Sequence, residues 1–432
     1  MIIHTVLPGE TYFAIAARYG ISLSLLLQTN GISDPDSPII GQALVILKPA
    51  LTHIVTRGET LQSVALRYQT TLRTLLRNNP VLTASDPPQK EFTIFPGQQL
   101  VISYETTPLG DVRSGGYVYP FISPSDLDQS LPYLNDLYLF TYGFKADGTL
   151  IPITPDDTPS VNAAEKLGTS PILVLSTLGE DGLFDSGRAS ALFSDPAAED
   201  RLISSLLALM PQKGYRGVDV DFEFIPPDQK EEFAAFVTLL KQRLAPQGYS
   251  VTVALAPKTY ADQPGLLYEA HDYAALGNAA DRLLLMTYEW GYAFGPPGPV
   301  APIKNVERVI DYALTEIPRE KLLLGIPNYG YDWTLPYQRG NPRAITLSPK
   351  QALSLASRYG AEILFDQDAA SPYFYYTDGQ GRAHVVHFED ARSFREKLEL
   401  LFRKGLSGFT VWTSMYPTPS LLRTANALFR LS

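Results

Sequence analysis

The stretch GVDVDFEFI, residues 217–225, alternates apolar and acidic residues. Successive side chains of a β-strand point to opposite faces, so the alternation predicts a strand with Asp219, Asp221 and Glu223 on one face and its valines and phenylalanines on the other. Three carboxylates on one face of a core strand repel one another, so we expect at least one carboxyl pKa to rise. A carboxyl group that stays protonated near neutral pH can act as a general acid. The alternatives are an edge strand with a solvated acidic face and a Ca²⁺ site.

The composition excludes several classes of function. No apolar run reaches the roughly 20 residues of a membrane span, so membrane insertion is not expected. The net charge of −10 argues against nucleic acid as a partner. The absence of cysteine excludes disulfides, thiol catalysis and cysteine-ligated zinc. His384 and His387 lie on opposite faces of a strand-like run, and no glycine-rich phosphate loop occurs, so neither a metal nor a cofactor is expected. No signal peptide is visible at the N-terminus.

The first hundred residues contain a repeat of two units, residues 4–46 and 53–102. The matching positions include Gly9-Glu10-Thr11 with Gly58-Glu59-Thr60, Asn30 with Asn79, and Gly41-Gln42 with Gly97-Gln98. The second unit has extra residues around Ser85–Glu91. Each unit is predicted to fold in the order strand, helix, helix, strand.

Both units resemble LysM modules, whose pattern is hxVxxGETLxxIAxxY, then an asparagine, then a closing PGQxLxI. The resemblance places the two small α+β modules at residues 1–48 and 51–103. It implies that they bind glycans that contain N-acetylglucosamine, chiefly peptidoglycan and chitin. A pair of repeats that serves only as a spacer is the alternative.

After a predicted linker at residues 104–114, residues 115–432 alternate strand-like and helix-like segments. The predicted strands are Gly116–Phe121, Leu137–Tyr142, Ile172–Ser176, Gly217–Glu223, Ser250–Ala256, Arg282–Tyr288, Lys321–Pro327 and Ser407–Trp412. Eight successive β/α units predict an α/β fold, the TIM barrel, with a doubly wound sheet as the alternative. Extra residues between the seventh and eighth strands, about 335–388, predict a small α+β insertion with a helix near Pro349–Tyr359.

In such a barrel the active site lies at the carboxyl ends of the strands, and Glu223 is predicted to end the fourth strand. The acidic stretch resembles the DxxDxDxE signature of glycoside hydrolase family 18, the chitinase-like barrels, although Arg216 stands at the first Asp position. The resemblance implies that Glu223 is the acid that protonates the glycosidic oxygen. It further implies that Asp221 orients the acetamido group of the substrate and that Asp219 tunes Asp221.

Other strand ends resemble the same family. Residues 286–290, MTYEW, are similar to its MxYD motif, which implies that Tyr288 donates its hydroxyl to the acetamido carbonyl. Trp412 ends the eighth strand, where the family has an aromatic floor under the sugar; ordinary core packing is the alternative. The residues predicted to bind substrate are Trp412, Glu289, Trp290, Tyr329, Asp332 and Trp333. For the last three, which follow the seventh strand, a structural role is the alternative.

The family resemblance implies a retaining reaction in which the substrate's own 2-acetamido oxygen attacks C1, so that no second carboxylate acts as nucleophile. The order of two LysM modules and a family-18 barrel resembles spore-germination hydrolases, which are N-acetylglucosaminidases of cortex peptidoglycan. That implies a peptidoglycan hydrolase associated with the spore coat, the cortex or the cell wall, and we expect a monomer. The alternatives are the same chemistry on chitin or another N-acetylglucosamine polymer, and a catalytically silent glycan-binding protein, although the acid Glu223 is present.

Overall fold

Two small modules precede the barrel in the computed structural model, which describes residues 1–83, 92–178, 185–339 and 343–431. The elements of the modules are β1 Ile2–Thr5, α1 Tyr12–Tyr19, α2 Leu23–Asn30, β2 Ala43–Ile46, β3 Pro49–Ile54, α3 Leu61–Arg67, α4 Leu72–Asn78 and β4 Gln99–Tyr104. β1 pairs antiparallel with β2, and β3 pairs antiparallel with β4, which confirms the predicted order of elements in both units. The extra residues predicted around Ser85–Glu91 lie outside the described part of the chain.

One asparagine in each module ties the helices to the closing strand. The Asn30 side chain donates to the Val45 carbonyl at 2.9 Å and accepts from the Val45 amide at 2.7 Å. Asn79 makes the same pair of bonds with Val101, at 2.8 Å and 2.7 Å. Both side chains are buried, where a donor and an acceptor on one planar group are needed to satisfy both backbone atoms. This explains why the repeat has asparagine at this position.

The strands beyond the modules form a closed barrel with additions. In chain order they are β5 Gly110–Val118, β6 Asp136–Phe144, β7 Leu150–Ile151, β8 Ser170–Ser176, β9 Gly217–Asp221, β10 Ser250–Leu255, β11 Arg282–Leu285, β12 Leu322–Pro327, β13 Gly330–Leu335, β14 Ile345–Leu347, β15 Leu364–Asp366, β16 Ser371–Thr377, β17 Ala383–His387, β18 Gly408–Trp412 and β19 Phe429–Leu431. The barrel strands are β5, β6, β8 to β12 and β18, all paired in parallel. Since β5 pairs with both β18 and β6, the ring has no open edge. The TIM barrel is confirmed and the doubly wound sheet is excluded.

Helices surround this ring and bury their apolar faces against it. They are α5 Pro124–Ser130, α6 Thr158–Lys166, α7 Ser186–Ser194, α8 Pro196–Lys213, α9 Lys230–Leu244, α10 Tyr273–Ala279, α11 Ile303–Glu316, α12 Pro349–Tyr359, α13 Ala391–Lys404 and α14 Pro419–Leu428. In α11 the buried residues are Val306, Val309, Ile310 and Ala313, the spacing of one helix face. The exception is α12, which belongs to the insertion and buries Ala352 and Ala356 against the sheet of the insertion and not against the ring.

The acidic strand β9 has the predicted two faces, but it ends two residues early. Val218, Val220 and Phe222 are fully buried in the main core between strands and helices. Phe224 does not continue this face: its φ is +58° and 45% of its surface is exposed. The chain turns after Asp221, so Glu223 lies on the loop that follows the strand and not within it.

The chain between modules and barrel is shorter than the predicted linker 104–114, because β4 extends to Tyr104 and β5 begins at Gly110. The second module packs directly against the barrel, and its apolar residues belong to the same core cluster. Arg77, which is buried, donates to the Leu431 carbonyl at 2.9 Å, and the Tyr133 hydroxyl donates to the Arg77 carbonyl at 2.8 Å. This module is therefore fixed to the barrel by polar and apolar contacts.

The insertion between β12 and β18 is a five-stranded sheet, in the order β14-β13-β17-β16-β15, covered by α12. The helix has the predicted bounds. The insertion begins before residue 335, because residues 331–335 of β13 pair with β17 and so belong to its sheet.

The first module contacts this insertion through the loop before β2. The Ile363 amide donates to the Ile40 carbonyl at 2.9 Å. Gly41, which follows, has a φ of +81°, and a Cβ atom built there would lie 1.9 Å from the Ile363 carbonyl oxygen. Gly97 occupies the matching position of the second module with a φ of +86°, and a Cβ there would have no atom within 4 Å.

We expect Gly41→Ala to destabilise the protein more than Gly97→Ala. Both substitutions place a side chain in the left-handed region, at a cost of roughly 1–2 kcal/mol. Only Gly41→Ala also forces the first module away from the insertion. Urea unfolding of the two variants and the wild type measures the difference, and equal losses of stability would contradict the close contact at Ile363.

Candidate active site

A cavity of about 290 Å³ lies at the carboxyl ends of the barrel strands. Its wall is formed by side chains of β5, β6, β9, β10, β11 and β18 and of the loops that follow β5, β9, β10 and β11. They are Tyr117, Tyr119, Phe140, Asp221, Glu223, Ala254, Pro257, Leu267, Tyr268, Leu284, Met286, Tyr288, Glu289 and Trp412. Because the carboxyl ends of parallel strands meet at one face of a barrel, residues from distant parts of the sequence converge here.

The three acidic side chains of residues 217–225 lie at successive depths. Asp219 is fully buried inside the barrel, and its Oδ2 accepts a hydrogen bond of 2.7 Å from the Tyr117 hydroxyl. Asp221 lies in the cavity wall and is 8% exposed, whereas Glu223 is half-buried. Among the described residues, Oδ1 of Asp219 and Oδ1 of Asp221 have no hydrogen-bond partner. A buried carboxylate oxygen without a donor favours the protonated form of the group.

The pKa values of these groups rise, as the alternation of charges predicts. Burial raises the pKa of Asp219 to about 7, although the hydrogen bond from Tyr117 acts in the opposite direction. Burial, and then the carboxylates of Glu223 and Asp219, raise the pKa of Asp221. Burial, and then the carboxylate of Glu289, raise the pKa of Glu223. The cavity thus holds carboxyl groups that keep protons at a pH where an ordinary carboxyl is ionised.

The loop after β11 brings two further predicted residues to the cavity. The strand ends at Leu285, earlier than predicted, and the Thr287 hydroxyl donates to the Gly325 carbonyl of β12 at 2.7 Å. Tyr288 and Glu289 then lie in the cavity wall. Burial, followed by the charges of the acidic groups around it, raises the pKa of Tyr288, so its hydroxyl remains a donor at neutral pH.

Glu289 is held by the insertion. Its φ is +69°, and its Oε1 accepts hydrogen bonds from the hydroxyls of Tyr329 and Tyr331, the latter at 2.8 Å. Tyr329 is outside the cavity wall, so it reaches this site through Glu289. Tyr331, on β13, has the same contact and was not singled out from the sequence.

Trp412 forms an aromatic wall with residues that the sequence analysis did not single out. Its ring lies edge-on to Phe140 and Tyr117, with centroids 5.1 Å and 5.3 Å apart, and Tyr119 is at 6.3 Å. Tyr117 also stacks on Tyr138 at 4.6 Å. The tyrosines at 117 and 119 are two apart at the end of β5, so their common face was readable from the spacing.

Three other predicted residues do not line the cavity. Trp333 is 1% exposed, and its Nε1 donates to a backbone carbonyl at 3.0 Å. Asp332 accepts hydrogen bonds from the Tyr376 hydroxyl at 2.7 Å and from His384 Nδ1 at 2.9 Å, all within the insertion. Trp290 packs against the main core. Their contacts are those of residues that position the insertion and the loop after β11.

Across the described ranges, no group of three or more histidine, aspartate and glutamate side chains is arranged to hold a metal ion. In the same residues, no helix has the length and apolarity of a membrane span.

Comparison with known proteins adds independent findings. The family model for glycosyl hydrolases family 18 matches residues 157–416, and the model for the LysM domain matches residues 4–47 and 53–103. The chain is 39% identical over 418 residues to the cortical fragment-lytic enzyme of Bacillus subtilis (strain 168), which covers 95% of this chain and 94% of that protein.

Solved structures resemble the whole chain as well as the barrel. The crystal structure of the Bacillus cereus spore cortex-lytic enzyme SleL has a TM-score of 0.82 at 32% identity, and the match covers 99% of this chain and 98% of that one. A chitinase from Chromobacterium violaceum has a TM-score of 0.68 at 25% identity, covering 73% of this chain and 98% of that one.

We expect Asp219→Asn to change how stability depends on pH. The ordinary aspartate pKa of 3.8 rises to about 7 for Asp219 in the folded chain. Below pH 3.8 both states carry the proton; above it the unfolded state ionises first, so the acidic Asp219 lowers the stability of the fold progressively up to about pH 7. Asparagine removes this loss. The stability of the variant relative to wild type should therefore increase by about 2–3 kcal/mol when the pH is raised from 5 to 8.

Thermal unfolding at both pH values measures this change. Asp368→Asn is the matched control, because the exposed Asp368 has a lowered pKa and stays ionised over that range. If the difference in stability between Asp219→Asn and wild type were the same at pH 5 and pH 8, Asp219 would be ionised in the folded chain and its raised pKa would be wrong.

Proposed function

This chain belongs to the glycosyl hydrolases of family 18, and we propose that it cleaves the β-1,4 bond after N-acetylglucosamine in spore-cortex peptidoglycan. The observation that carries the proposal is the half-buried Glu223, whose pKa is raised, beside Asp221 and Tyr288 in a cavity with an aromatic wall. The similarity to a cortical fragment-lytic enzyme supports the cortex as the substrate and the spore coat, cortex or cell wall as the location. The monomer expected from the sequence stays a prediction.

Glu223 is proposed as the general acid. Its partly exposed position in the cavity wall allows contact with a glycosidic oxygen, and burial together with Glu289 favours the protonated carboxyl group. After transferring its proton to the leaving sugar, the resulting carboxylate can remove a proton from the attacking water. This is the change from acid to base that a retaining reaction requires.

The substrate's 2-acetamido group is proposed as the nucleophile. Asp221 and Tyr288 line the same cavity as Glu223 and offer a carboxyl group and a hydroxyl donor to that acetamide. Asp219 lies deeper and accepts a hydrogen bond from Tyr117, and in addition to burial its charge raises the pKa of Asp221. Holding the acetamide oxygen in line with C1 makes its attack an intramolecular reaction, which lowers the barrier through proximity. The carboxylate that remains on Glu223 after it donates its proton stabilises the positive charge of the cyclic intermediate.

Trp412 is proposed to stack on the sugar whose bond is cleaved. Its contacts with Tyr117 and Phe140 restrict its rotation, and one side of the indole remains in the cavity wall. Aromatic rings offer an apolar face for sugar C–H groups at a low cost in side-chain entropy. The two LysM modules are proposed to bind the glycan strand elsewhere on the same polymer.

A chitinase activity is the second candidate, because the barrel resembles a chitinase structure at a TM-score of 0.68. Parallel digestion of cortex peptidoglycan and of chitin, followed by mass spectrometry of the products, separates the two. The proposal requires muropeptide products with N-acetylglucosamine at the reducing end and faster release from peptidoglycan than from chitin. Faster release from chitin would favour the second candidate, and no release from either polymer would favour a glycan-binding protein without activity.

We expect Glu223→Gln to reduce the turnover of peptidoglycan by at least about 10²-fold, because general acid catalysis alone contributes 10²–10⁴-fold. The amide keeps the shape of the side chain but has no acidic proton, so binding to insoluble peptidoglycan should remain close to that of the wild type. Reducing-end release and co-sedimentation measure the two effects. A variant within tenfold of wild-type turnover would remove Glu223 from the acid role.

We expect the first product to have the β configuration at its new reducing end, because attack by the acetamide and then by water inverts C1 twice. Asp221→Asn and Tyr288→Phe should each lower kcat more than they raise KM, since both groups act mainly as the cyclic intermediate forms. Proton NMR of freshly formed product reports the anomer. An α product would mean single inversion, and the roles of Asp221 and Tyr288 toward the acetamide would be wrong.

A further inference from the structure

A second cavity, of about 310 Å³, lies between the first LysM module and the insertion. We call it the module groove. One wall comes from the module, with Tyr12, Gln42 and residues on the loop that follows α2. The other wall is α12, which contributes Lys350, Leu353, Ser354, Ser357 and Arg358. These positions are three or four apart, so they share one face of the helix. The groove therefore exists only where module and barrel meet.

The two walls are fixed relative to each other. The Ile363 amide donates to the Ile40 carbonyl at 2.9 Å, and Arg392 Nη2 donates to the Gly41 carbonyl at 3.2 Å. Ile39 packs against the apolar core of the insertion. A ligand in the groove would therefore meet a site that is already formed, which lowers the entropy cost of binding.

The α12 wall presents two cations that have no carboxylate partner. The ion pairs that involve the insertion are Arg382–Asp378, His384–Asp378, His384–Asp332 and Lys304–Asp368. No ion pair among the described residues includes Lys350 or Arg358. Both side chains are exposed. On the opposite wall, Asp34 Oδ1 accepts a hydrogen bond from the Asp36 amide at 3.0 Å. The charged residues of the lining are thus two cations and one carboxylate, Asp34, which leaves one net positive charge in the groove on a chain whose net charge is −10.

The remaining chemistry of the walls suits a sugar chain. Hydroxyl groups come from both sides, and apolar strips lie between them. The hydroxyl-bearing residues are Ser33, Ser37, Ser354 and Ser357, and the apolar ones are Ile32, Ile39 and Leu353. Hydroxyls can bind sugar hydroxyl and amide groups, while apolar side chains can cover acetamido methyl groups. The two cations without a carboxylate partner favour an anionic glycan over a neutral one, since chitin has no carboxylate groups to pair with them.

We infer that the module groove binds peptidoglycan and selects it over chitin, with Lys350 and Arg358 receiving carboxylates of the lactyl groups or peptide stems. The inference deepens the proposed function and rests on it, because it takes the polymer held in the groove to be the polymer that the barrel cleaves. In this arrangement the selectivity for peptidoglycan lies in a site shared by a LysM module and the barrel.

The test compares the double variant Lys350→Ala/Arg358→Ala with Arg319→Ala/Arg403→Ala. The control removes two exposed cations that are not part of the groove lining, one just before β12 and one in the last turn of α13. Both are made in the Glu223→Gln background so that the polymer is not digested. Co-sedimentation is measured with sacculi that carry peptide stems, with sacculi stripped of stems by an amidase, and with chitin. Thermal unfolding checks that each variant is folded.

We expect the groove variant to bind intact sacculi about fivefold more weakly than the control variant, with less dependence on salt, and to bind chitin equally well. If the chain with wild-type groove residues binds intact sacculi but not stripped sacculi, the cations contact stem carboxylates. If it binds both, the cations contact lactyl carboxylates. Unchanged binding to intact sacculi, or an equal loss on chitin, would overturn the inference. A chain with active Glu223 that binds sacculi through these cations but does not cleave them would refute the proposed function and not the groove.

Discussion

The removal of Asp219 and Asp221 from water is the constraint on which the site depends. Asp219 is fully buried, and Asp221 nearly so, with one hydrogen bond from Tyr117 to the deeper group. Burying such groups is costly unless they keep their protons or find partners. The closed ring of strands and the apolar layer behind it supply the stability that offsets this cost. The same burial raises the carboxyl pKa values, so the feature that costs stability also keeps these groups protonated to a higher pH than an ordinary carboxyl.

The barrel and the acidic face were predictable because both follow from local periodicity. Alternation in residues 217–225 defined the two faces of β9, and the regular spacing of strand-like and helix-like segments defined the ring. The turn after Asp221 was not predictable in this way. Phe224 continues the alternating pattern in sequence, but its backbone adopts a positive φ that the pattern disfavours for a bulky residue. Because of the turn, Glu223 contributes to the cavity wall from the loop beyond the strand.

The candidate site was only partly predictable, because sheet pairing over long sequence distances decides which polar residues are free. Asp332 and Trp333 stand in a segment rich in aromatic and polar residues, which resembles the wall of a binding groove. In the structure, β13 pairs with β17, about fifty residues further along the chain. That pairing directs Asp332 toward His384, while the neighbouring Tyr331 bonds to Glu289. No local pattern distinguishes these two outcomes.

The insertion connects the first LysM module to the cavity. Its strand β13 carries Tyr331, which donates to Glu289, and Glu289 in turn contributes to the raised pKa of Glu223. Its helix α12 and the neighbouring Ile363 contact the first LysM module. A flexible tether would raise only the local concentration of the barrel at its polymer. The first LysM module is docked on the insertion, so it would also fix the direction of a strand bound to it relative to the cavity. This control of the direction of a bound strand would depend on the close contact between Gly41 and Ile363, and not only on the affinity of the module for the glycan.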